Sequence, residues 1–167
     1  MAEEATTAQA GRVHATCLVF GEAGLLVRGR SGSGKTSLAR EIIASAQSLG
    51  TFARLVADDC VSLANRNGRL VASAPDSIAG RMEIFGFGIV AVPHEESAVV
   101  RLVVDLDPAL PRWPPAGSDT VELCGVTLPR LVTGPGTAAL ILLLRDLSKT
   151  GKGSILSPEQ FVATPLH

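Results

Sequence analysis

The sequence is short of cysteine, of any surplus of charge and of long apolar runs, and each shortage narrows what the chain can be. Its three cysteines, Cys17, Cys60 and Cys124, are odd in number and form neither a CxxC pair nor a Cys/His cluster. They read as reduced thiols, not as a disulfide framework or a zinc site. A net charge of -1 lacks the basic footprint of a nucleic-acid protein. It leaves local anion binding open, because a loop of backbone N–H groups needs no net positive charge. No stretch approaches the ~18 continuous apolar residues of a membrane span. The start, MAEEATTAQAGR, is acidic and small-residued and has no apolar run for a signal peptide or anchor. The expectation is a cytoplasmic chain that binds neither nucleic acid nor membrane.

What is present suffices for one globular domain: 167 residues, 46% apolar and 19% charged, with no internal repeat and no inter-domain linker. Residues 1–12 are expected to be flexible, 13–155 to form the domain and 156–167 to be a tail. VHATCLVF and GLLVRG, separated by Gly21 to Gly24, read as a β-hairpin. KTSLAREIIASAQSL has helical spacing, with Leu38, Ile42 and Ala46 on one face, Ile43 and Leu49 beside it, and Gly50 as its stop. Asn67-Gly68 marks a tight turn between two apolar runs. AVVRLVVDLD reads as a buried strand, residues 109–119 as a proline-rich loop, VELCGVTLPRLV as a short hairpin, and the apolar run from Ala138 to Leu144 as a buried helix. The class is α/β, a mixed β-sheet with few helices rather than a regular βα alternation.

Chemistry enters at GRSGSGKTS, residues 29–37. Gly29, Gly34, Lys35 and Thr36 fit G-x-x-x-x-G-K-[ST] between a strand and a helix, the context in which this spacing cradles phosphate. Glycines let successive N–H groups point inward, and the new helix adds its positive end. Arg30, Ser31, Gly32, Ser33 and Ser37 complete the loop. Lys35 supplies a point charge for the β/γ-phosphates, and the Thr36 hydroxyl can ligate Mg²⁺. Downstream, LVADDC places Asp58 and Asp59 at a strand end, where one could hold Mg²⁺ and the other accept a proton. A solvated turn explains the dipeptide equally well, and Asp105 in RLVVDLD competes for the same acidic role. His14 gains meaning only if its strand brings it beside Asp58. His94 and His167 have no such context.

In this order, VHATCLVFGEAGLLVRGRSGSGKTSLA, LVADD and MEIFGFGIV resemble the catalytic domain of HPr kinase/phosphorylase over roughly residues 13–150. The resemblance implies a P-loop kinase domain like the nucleotide-binding core of phosphoenolpyruvate carboxykinase, lacking the family's N-terminal domain. It implies ATP or pyrophosphate as donor, Mg²⁺, a serine of the phosphocarrier HPr as acceptor, and a homo-oligomer (a hexamer in full-length members). Carried over, His14 lies near the base, Lys35 is the loop lysine and Asp58 the catalytic carboxylate. Thr36, Asp59 and Glu83 face the metal, and Asp105 becomes structural. The sequence departs from the family in three basic positions. Phe85 replaces the arginine of E-I-R-G-x-G, and Gly134 and Thr137 stand at the arginines of a later V-R-P-G-R-N, although Pro135 and Gly136 are kept. The departures bear on the dephosphorylating reaction. The rival readings are a small-molecule kinase, for which 109–119 offers no basic lid, and a nucleotide sensor with little turnover. A guanine-reading N-K-x-D is absent.

Overall fold

In the computed structural model, which describes residues 10–107, 109 and 119–134, one long first strand organises the sheet. Strand β1 (Ala10–Phe20) is exposed in its first half and buried from Ala15 onward, and the two halves take different partners. Its first half pairs antiparallel with β4 (Cys60–Arg66), and its second half with β2 (Ala23–Gly29) and β3 (Ala53–Ala57). β5 (Arg69–Ser73) returns from β4 through Asn67 and Gly68, both at positive φ, and the Asn65 side chain accepts the Gly68 N–H at 2.9 Å. That turn is the one expected from Asn-Gly. β8 (Ser97–Leu106) pairs with β5 at its start and with β2 further on. The ladder β2-β1-β4-β5-β8 therefore closes back on β2. A short hairpin, β6 (Arg81–Ile84) and β7 (Gly88–Ala91), stands off as its own two-stranded sheet, and β9 (Thr120–Leu123) pairs with β10 (Val126–Thr133), which joins the sheet parallel to β8.

The helix α1 (Lys35–Ser48) covers one face of this mixed sheet. Leu38, Ala39, Ile42 and Ala46 pack on Leu18, Phe20, Leu25, Val27, Leu102 and Val104, and alternation sends Cys17, Val19, Leu26 and Val103 into a second core on the opposite face. The helix stops as expected. Gly50, at φ +65°, donates to Gln47 O at 3.2 Å, and Thr51 donates to Ala46 O at 2.9 Å, the paired bonds of a left-handed helix end. Leu49 lies past the last helical turn and is exposed, not beside the apolar face. Ala10 to Arg12 pair with Ala64, Leu63 and Ser62 instead of fraying. The helix expected from Ala138 to Leu144, most of the 109–119 loop, the 156–167 tail, Pro135, Gly136, Thr137 and His167 lie outside the described residues. Among the described residues no helix is long and apolar enough to cross a membrane.

Candidate active site

β2 runs directly into the glycine loop, and the loop into α1. Gly34 precedes the helix at φ +94°, a conformation open to glycine at little cost. No side chain caps this end and no acid occupies the first turn. Its free N–H groups and the positive end of the helix are thus left for an anion. Ser33 Oγ is a buried polar atom with no partner, folded under the loop against Gly29. Lys35 lies flat under the loop, its ammonium donating to Gly29 O and Arg30 O at 3.0 Å each and to His14 Nε2 at 3.1 Å. Lysine offers only donors, so His14 accepts on Nε2 and carries its proton on Nδ1. That Nδ1–H faces Asp59, 3.0 Å from both the backbone carbonyl and Oδ1.

The acidic pair does not act as one unit. Asp58 ends β3, and Asp59 takes φ +69°, which turns the chain tightly into β4. The left-handed residue gives the two carboxylates different surroundings, one buried and one exposed. Asp58 is buried. Its Oδ1 accepts the Thr16 hydroxyl at 2.8 Å and the Thr36 hydroxyl at 2.9 Å, and its Oδ2 accepts the Glu83 N–H at 3.1 Å. Asp59 is exposed and meets His14. His14 is therefore brought to Asp59 and Lys35, and the condition under which it would gain meaning, a place beside Asp58, is met by its neighbour instead. The pair still converges on the loop by two routes, Asp58 through Thr36 and Asp59 through His14 to Lys35.

Glu83 reaches this centre through its backbone, while its side chain is exposed on β6. Thr16 is a site residue missed in the sequence. Strand alternation carries a signal for it, since it lies two residues after His14 on the same face. Thr36 and Asp58 offer two hard oxygen donors side by side, suited to a small divalent cation. Among the described residues no three His, Cys, Asp or Glu side chains form a metal-binding group.

Asp105 is engaged elsewhere. It accepts Arg28 Nε on Oδ1 at 2.7 Å, Arg28 Nη2 on Oδ2 at 2.8 Å, and Arg130 Nε on Oδ2 at 2.6 Å. Burial alone would push its carboxyl up, but the hydrogen bonds and charges of Arg28 and Arg130 together outweigh it and hold it below its ordinary 3.8. A carboxyl lowered by folding contributes stability above its unfolded value and loses it as pH falls through the folded one. The expected result is a fall in Tm as pH drops below 3.8, with a shallower fall in Asp105→Asn. At pH 7 that variant should melt several degrees lower. Thermal melts from pH 7 to 3 check both.

Phe85, at the position of the missing arginine, is fully exposed at the tip of the β6–β7 hairpin, with Phe87 and Ile89 also exposed.

With this geometry in place, the similarities of the chain carry weight. Residues 5–106 match the family model described as the HPr Serine kinase C-terminal domain. The HPr kinase/phosphorylase of Clostridium tetani is 37% identical over 82 residues, 49% of this chain and 25% of that protein. That of Geobacillus thermodenitrificans is 29% identical over 147 residues, 77% of this chain and 43% of that protein. The chain thus spans less than half the length of these two curated relatives. The solved structure of the Hpr(Ser) kinase/phosphatase from Coxiella burnetii superimposes with a TM-score of 0.66 at 26% identity, over 84% of this chain and 95% of that one.

Proposed function

We propose, on the premise that this chain belongs to the HPr serine kinase C-terminal domain family, that it transfers the terminal phosphoryl group of ATP or pyrophosphate to a serine of an HPr-type phosphocarrier. The observation that carries this reading is the 2.9 Å bond from Thr36 to Asp58, which sets a strand-end acid on the phosphate loop. The loop N–H groups and Lys35 hold the donor phosphates and offset charge on the group in transfer.

Asp58 is the base. Its Oδ1 is taken by two hydroxyls, but Oδ2 accepts one N–H and keeps room for a serine proton. That proton passes to Oδ2 as the serine oxygen bonds to phosphorus and the bond to the leaving diphosphate, or to phosphate when pyrophosphate is the donor, breaks in line. Asp58 returns the proton to solvent. Mg²⁺, when bound, would neutralise donor-phosphate charge, and the Thr36 hydroxyl oxygen, whose proton is given to Asp58, would help hold it. Asp59 and Glu83 are the further carboxylates that the resemblance assigns to it. His14 holds Lys35 from below and Asp59 holds His14. A cytoplasmic homo-oligomer completes the proposal.

The test is transfer of label from γ-³²P-ATP to an HPr-type carrier and to the same carrier with its serine changed to alanine. Label on the first and none on the second is expected. Donor binding without label on any carrier would contradict the kinase reading. In the reverse direction, transfer of the phosphoryl group from the phosphorylated carrier to added inorganic phosphate, giving pyrophosphate and the free serine, should be slower than forward transfer by about 10–100-fold, the cost of one lost charge-assisted contact to phosphate. Equal rates would show that the replaced arginines are dispensable.

A further inference from the structure

The Arg28–Asp105–Arg130 cluster sits behind the phosphate loop, not in it. Alternation places Arg28 with Leu26, Asp105 with Val103 and Arg130 with Leu128, all on the sheet face away from α1. Lys35, by contrast, belongs to α1. The three charged residues join the ends of β2 and β8 to the middle of β10, and the three strands run parallel. Parallel pairing is slightly weaker per residue than antiparallel pairing, so strand ends gain from a cross-link.

Arg28 is the last side chain before the loop. At Gly29, φ is +156°, and an added Cβ would come within 2.5 Å of Ser33 Oγ and 3.1 Å of Leu106 O. The backbone there is wedged between the loop above and β8 beside it. Gly29 O then accepts Lys35 Nζ at 3.0 Å. From Asp105 to the loop lysine the path is one bidentate ion pair, one peptide step and one hydrogen bond.

We propose that Asp105 is a positioning residue for the phosphate loop: by gripping Arg28 from β8 and Arg130 from β10, it fixes where Gly29 leaves the sheet and so where the Gly29 and Arg30 carbonyls hold Lys35. The proposal rests on the reading that the loop binds donor phosphate. It assigns work to an acid that the phosphoryl-transfer scheme leaves unused. Among the described residues the cluster has two guanidinium groups against one carboxylate, and this excess of positive charge behind the loop favours an anion in front of it.

Loss of an ion pair that served stability alone would lower Tm and leave the loop as ordered as any core variant of equal Tm does. Two readouts separate these roles: amide exchange at Ser33, whose N–H donates to Arg30 O at 3.1 Å, and the affinity for magnesium pyrophosphate. Wild type, Asp105→Asn, Arg130→Gln and the remote core variant Leu70→Ala are compared at temperatures equally far below their Tm. In Asp105→Asn, exchange at Ser33 should rise about tenfold and pyrophosphate affinity should fall about tenfold, as small misplacements of a binding loop do. Arg130→Gln, which keeps the Arg28 pair, should move both readouts less, and Leu70→Ala should move neither. Asp105→Glu, which keeps the charge, should restore part of both. If Asp105→Asn tracks Leu70→Ala on both readouts, the proposal is overturned. If Asp105→Asn does not fold, Arg130→Gln decides, and unchanged readouts in it overturn the proposal. If wild type binds no pyrophosphate, the donor-binding reading fails, while exchange at Ser33 still decides the clamp.

Discussion

Asp58→Asn should lower phosphoryl transfer to the carrier by about 10²–10⁴-fold, the usual contribution of a positioned general base. Donor affinity should stay within a few-fold of wild type. The asparagine oxygen can still accept from Thr16 and Thr36, so Thr36 and the start of α1 keep their anchor. The amide nitrogen then faces the Glu83 N–H, donor against donor, and cannot take a proton. The β6–β7 hairpin should loosen at its root, and stability should fall by about 1–3 kcal/mol, the cost of one buried group left unsatisfied. Single-turnover transfer beside calorimetric titration of pyrophosphate separates the two effects. A small loss of rate with normal binding would remove Asp58 from the chemistry. An equal loss of both would make it a binding residue.

Lys35→Ala should damage binding and turnover together. The ammonium is almost fully buried and holds three partners, Gly29 O, Arg30 O and His14 Nε2. Removing it deletes the cation that the proposed function assigns to the donor phosphates and leaves two loop carbonyls without that donor. Loss of one preorganised charge-stabilising donor costs about 10²–10³-fold in rate, and donor affinity should drop as well. His14 also loses its Nε2 partner, so the imidazole should become free to rotate about its Asp59 contact. An NMR spectrum of the His14 ring, beside steady-state kinetics and titration, checks all three. Unchanged donor affinity would mean that the loop amides alone hold the phosphates.

The glycine loop was legible in the sequence because its demands are local. Gly29 and Gly34 must take positive φ, Lys35 and Thr36 must follow them, and a strand and a helix must flank them. The Asn67-Gly68 turn and the Gly50 stop were legible for the same reason. The mixed sheet with few helices also followed from the pattern of strands, and it agrees with the solved kinase/phosphatase structure. Asp58 and Asp59 were legible as a strand-end pair but not as one buried and one exposed carboxylate with separate partners. That depends on the left-handed backbone of Asp59, which the dipeptide does not announce. The true partner of His14 was hidden for the same reason.

Longer-range register was not readable at all. Arg28 meets Asp105 across 77 positions of sequence, and Arg130 meets it across 25, only because β2, β8 and β10 align in parallel. Of the β6–β7 hairpin the sequence shows only an apolar stretch broken by Gly86 and Gly88, with no hairpin announced. Nothing in the run told that it would stand off the sheet with Phe85 and Phe87 exposed at its tip.

The central claim is that the buried acid at the end of β3 meets the acceptor at the phosphate held by the loop. A structure of the chain with magnesium, a non-hydrolysable ATP analogue and an HPr-type carrier tests it most directly. The account predicts an Asp58 carboxylate oxygen within about 3 Å of the acceptor serine hydroxyl, with the terminal phosphate between the loop amides and that hydroxyl. A serine that approaches from the other side of the sheet, or that meets Asp59 or Asp105 in place of Asp58, would contradict it.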